Sequence, residues 1–111
     1  MKSKEAVAGL AALAQETRLE IFRLLVASGP EGLPAGDIAA DLALPGATAS
    51  FHLKELRQAG LVNFRRAGRS LIYTADFAAV GALVGFLTEN CCGGRCPAPG
   101  RGVTACTESV P

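Results

Sequence analysis

A mainly α fold carrying one small β-hairpin is predicted by three features of this 111-residue sequence. Apolar residues recur at helical spacing in five separate segments. Only the stretch from Leu61 to Thr74 alternates as paired strands do, and Gly or Pro punctuates most boundaries. The length suits one domain with its own core and is too short for two comfortable ones.

The elements follow in order. Ser3 to about Ala14 is Ala-rich, with Val7, Leu10 and Leu13 at helical spacing and Ser3 as the expected N-cap. About Glu16 to Ser28 reads as a largely buried helix through Leu19, Phe22, Leu24, Leu25 and Val26, stopped by Gly29-Pro30. The loop Glu31-Gly32-Leu33-Pro34 leads into a short helix from about Ala35 to Leu42, with Ile38, Ala39 and Leu42 facing inward. After the break Ala43-Leu44-Pro45, a stronger helix runs to Ala59 on a Leu53 and Leu56 stripe and ends at Gly60. Leu61–Arg66 and Ser70–Thr74 form the hairpin, turned at Ala67-Gly68-Arg69. A last helix spans about Asp76 to Asn90, capped by Asp76. Its Phe77, Val80, Val84 and Leu87 make a narrow seam of the kind that pairs helices. Residues 1–90 thus form the folded domain. Residues 91–111, rich in Gly and Pro, are expected to be a flexible tail that carries cysteines.

Composition narrows the function. Half the residues are hydrophobic and 19% are charged, as in a globular protein. Alanine dominates the apolar fraction, so each packed side chain buries little area, and such a core favours an oligomer. No apolar run approaches the roughly 20 residues of a membrane span. The start, Met1-Lys2-Ser3-Lys4-Glu5, does not read as a signal peptide, which points to the cytoplasm and to reduced cysteines.

The net charge of +1 is unevenly placed. Between Phe51 and Ser70, Lys54, Arg57, Arg65, Arg66 and Arg69 face Glu55 alone, which leaves +4 there and −3 elsewhere. A local basic patch is an electrostatic footprint for a phosphate backbone. Two short helices joined by a tight turn, then a basic-tipped hairpin, read as a winged helix-turn-helix: five helices plus a two-stranded wing. Ala47, Thr48, Ala49, Ser50 and His52 occupy the early turns that would enter a major groove. Lys54 and Arg57 suit phosphates, while Arg65, Arg66 and Arg69 on the wing would reach backbone or minor groove.

With those residues in place, the chain resembles the ArsR/SmtB family of winged helix-turn-helix repressors. Carrying the resemblance are Glu16-Thr17-Arg18-Leu19-Glu20-Ile21, the run from Ala49 to Val62 and the wing Gly68-Arg69-Ser70-Leu71-Ile72-Tyr73. It implies a homodimer built through the first and last helices, a palindromic operator in double-stranded DNA, and release of that DNA when an inducer binds. The cysteine segment usual in arsenic, cadmium or lead sensors falls near Ala35–Leu42, where there is no cysteine. The zinc-type site of paired Asp and His on the last helix finds no His there. What remains is Thr88-Glu89-Asn90-Cys91-Cys92, which is similar to arsenite-responsive members with C-terminal thiols.

Cys91, Cys92 and Cys96 are therefore the expected inducer ligands. Trivalent arsenic, As(III), takes three thiolates in a pyramid, and Sb(III) shares that chemistry. Zinc wants a tetrahedron and would have to recruit Cys106. Adjacent side chains on a straight helix diverge by about 100°, so the helix must fray for Cys91 and Cys92 to chelate together, and Gly93-Gly94 makes fraying cheap. The competing role for the same thiols is redox sensing. Cys96-Pro97-Ala98-Pro99-Gly100-Arg101 has the wrong spacing and flanks for an oxyanion loop, and no enzyme activity is expected.

Overall fold

The computed structural model describes residues 1–94. Five α-helices and three strands occur in the order α1 (Ser3–Leu13), α2 (Glu16–Ser28), β1 (Leu33–Pro34), α3 (Ala35–Asp41), α4 (Gly46–Gln58), β2 (Val62–Ala67), β3 (Ser70–Ala75) and α5 (Phe77–Leu87). Short 3₁₀ turns sit at Gly29–Glu31 and Cys91–Gly94.

Local chemistry accounts for the boundaries. α1 is capped one residue earlier than expected. Lys2 is the N-cap, its backbone N–H bonded to the Glu5 carboxylate at 2.8 Å, and Ser3 is already helical. The Gln15 side chain accepts from the Arg18 N–H at 2.8 Å to open α2, and Asp76 Oδ1 accepts from the Ala79 N–H at 3.0 Å to open α5. α4 closes with a Schellman pair, Leu61 N–H to Leu56 O and Gly60 N–H to Arg57 O, at 3.1 and 3.0 Å. The same pair closes α3 through Leu44 to Ala39 and Ala43 to Ala40. There the left-handed position is Ala43 (φ 53°), a residue that strains to adopt it.

The sheet is antiparallel in the order β1-β3-β2, with Val62 opposite Ala75, Phe64 opposite Tyr73 and Ala67 opposite Ser70. Gly68 and Arg69 form the two-residue turn of the hairpin. Positive φ occurs at Gly68 (63°) and not at Arg69, as a type II′ turn requires. β1 adds a third strand to the expected two-stranded wing, Leu33 lying opposite Tyr73 and Pro34 opposite Ile72. Two residues ending in a proline leave no alternating pattern to read. Gly32 brings the chain onto β3 at φ 72°, so close to the Tyr73 carbonyl that a β-carbon would overlap it.

Ile21, Leu25, Ile38, Leu53, Leu56, Leu61 and Val62 form the innermost core, with Phe22, Tyr73 and Ala75 packed beside them. Two stripes turn out differently from their sequence pattern. α1 buries Ala6, Gly9 and Ala12, and leaves Val7 and Leu10 at 64% and 41% exposure. At Gly9, α1 lies against the side chains of Leu61 and Leu83. In α2, Leu19 and Val26 point outward while Ile21, Phe22 and Leu25 are buried. α5 is apolar from Phe77 to Leu87, yet Leu83 is its one buried residue. Phe77, Val84 and Leu87 are exposed. Among the described residues no helix is long and apolar enough to cross a membrane.

Candidate DNA-binding face and thiol pair

α4 packs on α2 and α3 through Ala49, Leu53 and Leu56, spaced i, i+4 and i+7. That stripe decides which candidate residues are free to meet a ligand. Ala47, Ser50, Lys54 and Arg57 are exposed, and Thr48 is half-buried. Ala49 is only 1% exposed and belongs to the core, which corrects its place among the groove-facing residues. It lies on the same side of the helix as Leu53 and Leu56, the side that is buried.

His52 is half-buried and engaged within the fold. Its Nδ1 lies 3.3 Å from Nη1 of Arg18, whose Nε donates to the Ala12 carbonyl at 2.7 Å. Burial first, and then the Arg18 guanidinium, hold the imidazole below its ordinary pKa, with Glu55 pulling the other way. The neutral ring accepts from Arg18, and Arg18 so ties the end of α1 to α4. Sequence reasoning gave Arg18 no role. Its signal was a lone cation in the first turn of a helix with a buried face.

On the wing, Arg65, Arg66 and Arg69 are all exposed, and Arg69 sits at the tip of the turn. Arg65 Nη2 donates to the Glu31 carbonyl at 3.0 Å, so that guanidinium is drawn towards the loop before β1. Arg57 lies over the Phe64 ring, 4.6 Å from its centroid, and Phe64 in turn rests 5.8 Å from Tyr73. This cation–π contact links α4 to the wing.

The thiol pair lies at the C-terminal end of the described residues. α5 stops at Leu87, where Thr88 turns its hydroxyl back onto the Val84 carbonyl at 2.8 Å. Asn90 (φ 58°), Cys92 (φ 56°) and Gly93 (φ 66°) then take the left-handed conformation. The expected fraying is thus a full break in the helix, and it brings the Cys91 and Cys92 sulfurs within 3.4 Å of each other. Among the described residues no group of three His, Cys, Asp or Glu side chains is placed to hold a metal. Cys96 and Cys106, the expected third ligand and possible fourth, lie outside the described residues.

Comparison with known proteins agrees with this architecture. The helix-turn-helix domain family HTH_20 matches residues 13–63, which run from the end of α1 through α4 into β2. The chain is 34% identical over 90 residues to the transcriptional activator HlyU of Vibrio cholerae, covering 81% of each protein. An ArsR-like transcriptional regulator from Rhodococcus sp. RHA1 superposes with a TM-score of 0.67 at 31% identity, covering 76% of both chains. A homodimeric winged helix-turn-helix DNA-binding domain from Mycobacterium bovis, a possible ArsR-family regulator, gives 0.62 at 32% identity over 78% of this chain and 81% of its own. These relatives are transcriptional regulators and not enzymes. The chain belongs to the ArsR family of winged helix-turn-helix transcriptional regulators.

Proposed function

We propose that the chain is a metalloid-responsive repressor. In the cytoplasm it binds a palindromic operator as a reduced, metal-free homodimer, and As(III) or Sb(III) at Cys91, Cys92 and Cys96 releases it. The observation that carries this reading is the 3.4 Å approach of the Cys91 and Cys92 sulfurs just beyond α5. The dimer is supported by the apolar residues that α1 and α5 leave exposed, Val7, Leu10, Phe77, Val84 and Leu87. A helix that is apolar all round and half uncovered needs a partner.

Arsenous acid would exchange its three hydroxyls for three thiols, releasing three waters and forming three As–S bonds. Closing that pyramid would draw the segment after Thr88 into one fixed geometry at the end of the dimer helix. Half-sites lie about one helical turn apart, ~34–36 Å, so a small rotation at the dimer seam misaligns both DNA-reading units. A coupling of roughly 1–3 kcal/mol would weaken DNA binding by about 5–150-fold.

The test is fluorescence anisotropy on promoter duplex under reductant, titrated separately with arsenite and zinc. Release at near-stoichiometric arsenite, with zinc inert, is the expected result. Cys91→Ser should keep DNA affinity and lose the arsenite response; a normal response in that variant removes the assigned site. The same sulfur contact favours one alternative, a thiol-redox sensor in which peroxide takes two electrons and two protons from a thiol pair. It yields a disulfide and two waters. Loss of DNA binding with peroxide, restored by reductant and absent with arsenite, would establish that reading instead.

A further inference from the structure

Phe51 sits at the centre of the DNA-facing surface of α4, where no other large apolar side chain lies. Ala49, Leu53 and Leu56 set the buried direction of the helix. At ~100° per residue Phe51 projects almost diametrically away from that stripe, flanked by Ala47 and Lys54. It is 55% exposed, while the other large apolar residues of α4, Leu53 and Leu56, are at 0%. Its orientation is supported: the ring meets His52 edge-on, with centroids 5.3 Å apart and planes at 63°. His52 is itself held by Arg18 and, through it, by the Ala12 carbonyl. The surrounding charge is positive on balance: Lys54 and Arg57 lie on the same helix with Glu55, and the wing arginines lie beyond.

We infer that Phe51 is a specificity-determining residue that reads the C5-methyl group of a thymine in each half-site. The inference rests on the proposed operator binding by α4. A phenyl ring has no hydrogen-bond donor or acceptor for a base edge, and the thymine methyl is the apolar feature of the major groove. The basic rim excludes an apolar protein surface as the natural occupant and suits a polyanion that carries small apolar groups in its groove. Burying the ring against a methyl removes apolar area of both from water, and the His52 and Arg18 contacts mean that little ordering is required on binding.

The experiment removes only the methyl. Full-length protein selects its preferred duplex from a random pool, and that duplex is then resynthesised with single thymines replaced by deoxyuridine. Wild-type Kd is expected to rise about fourfold for the thymine that Phe51 reads, the value of one buried methyl. Replacement in both half-sites should give about 15-fold. Phe51→Ala should bind the thymine and deoxyuridine duplexes equally, whereas Phe51→Leu, which keeps an apolar side chain, should retain part of the preference. Equal wild-type affinity for every deoxyuridine duplex would overturn the inference. So would a preference that survives intact in Phe51→Ala, since another residue would then read the methyl. Failure of wild-type protein to enrich any duplex would instead overturn operator binding itself, and this inference with it.

Discussion

His52 changes meaning once its neighbours are known. By position it belongs to the early turns of a groove-reading helix, but its Nδ1 faces Arg18 and its ring supports Phe51. Because the folded state holds its pKa below the ordinary 6.5, the unfolded chain takes up this proton at the higher pH. The stability it contributes is therefore complete above about pH 6.5 and is lost as pH falls towards the folded value. Urea unfolding at steps from about pH 8 to pH 5 should show this decline in the wild type. His52→Asn keeps an acceptor for Arg18 without a titrating ring, and it should lose less stability over the same window. An unchanged slope would place the acid sensitivity elsewhere. At the same scale, Ala49 and Ser50 are neighbours of similar size in the sequence, yet one is core and the other surface.

Among the elements, α4 and the wing are joined where Arg57 lies over Phe64. The three wing arginines are not equivalent. Arg65 is drawn to the Glu31 carbonyl, whereas Arg69 stands at the tip of the turn. If Arg69 neutralises one phosphate per subunit, Arg69→Ala should lower the slope of log affinity against log salt by about 0.9 per subunit. Kd measured across a series of salt concentrations checks this, and a slope equal to that of the wild type would leave Arg69 without a phosphate contact. Most elements were legible in sequence because their signals are local. Asp76 caps α5, Gly60 ends α4 and Gly68 turns the hairpin, each acting within a few residues. β1 was not legible. Its two residues form a strand only because β3 is there to pair with them.

At the scale of the molecule, the exposed apolar residues of α1 and α5 are the dominant feature among the described residues. Leu87 is 57% exposed, so a charge there is harmless to the isolated subunit and is costly if that position is buried in a dimer seam. Leu87→Glu should sediment as a monomer with unchanged helical circular dichroism, and should bind a two-half-site duplex far more weakly than the wild type. A dimer of wild-type stability in that variant would place the interface on another face.

By itself the sequence determined where the five helices and the hairpin lie, where the basic charge is concentrated and where the thiols gather. Caps, glycines and residue spacing act over short distances, and charge can be counted without coordinates. The tertiary structure decided which side of each helix faces inward. An Ala-rich helix such as α1 offers two apolar arcs, and the one that packs inward, with Gly9 against Leu61 and Leu83, is the smaller, Ala6, Gly9 and Ala12. It also decided that Arg18 meets His52 across 34 positions of chain, and that Cys91 and Cys92 converge. The first depends on how α1, α2 and α4 pack, and the second on a backbone that leaves the helix after Leu87. Periodicity describes a helix in isolation, whereas contacts between helices are set by the shapes of both partners.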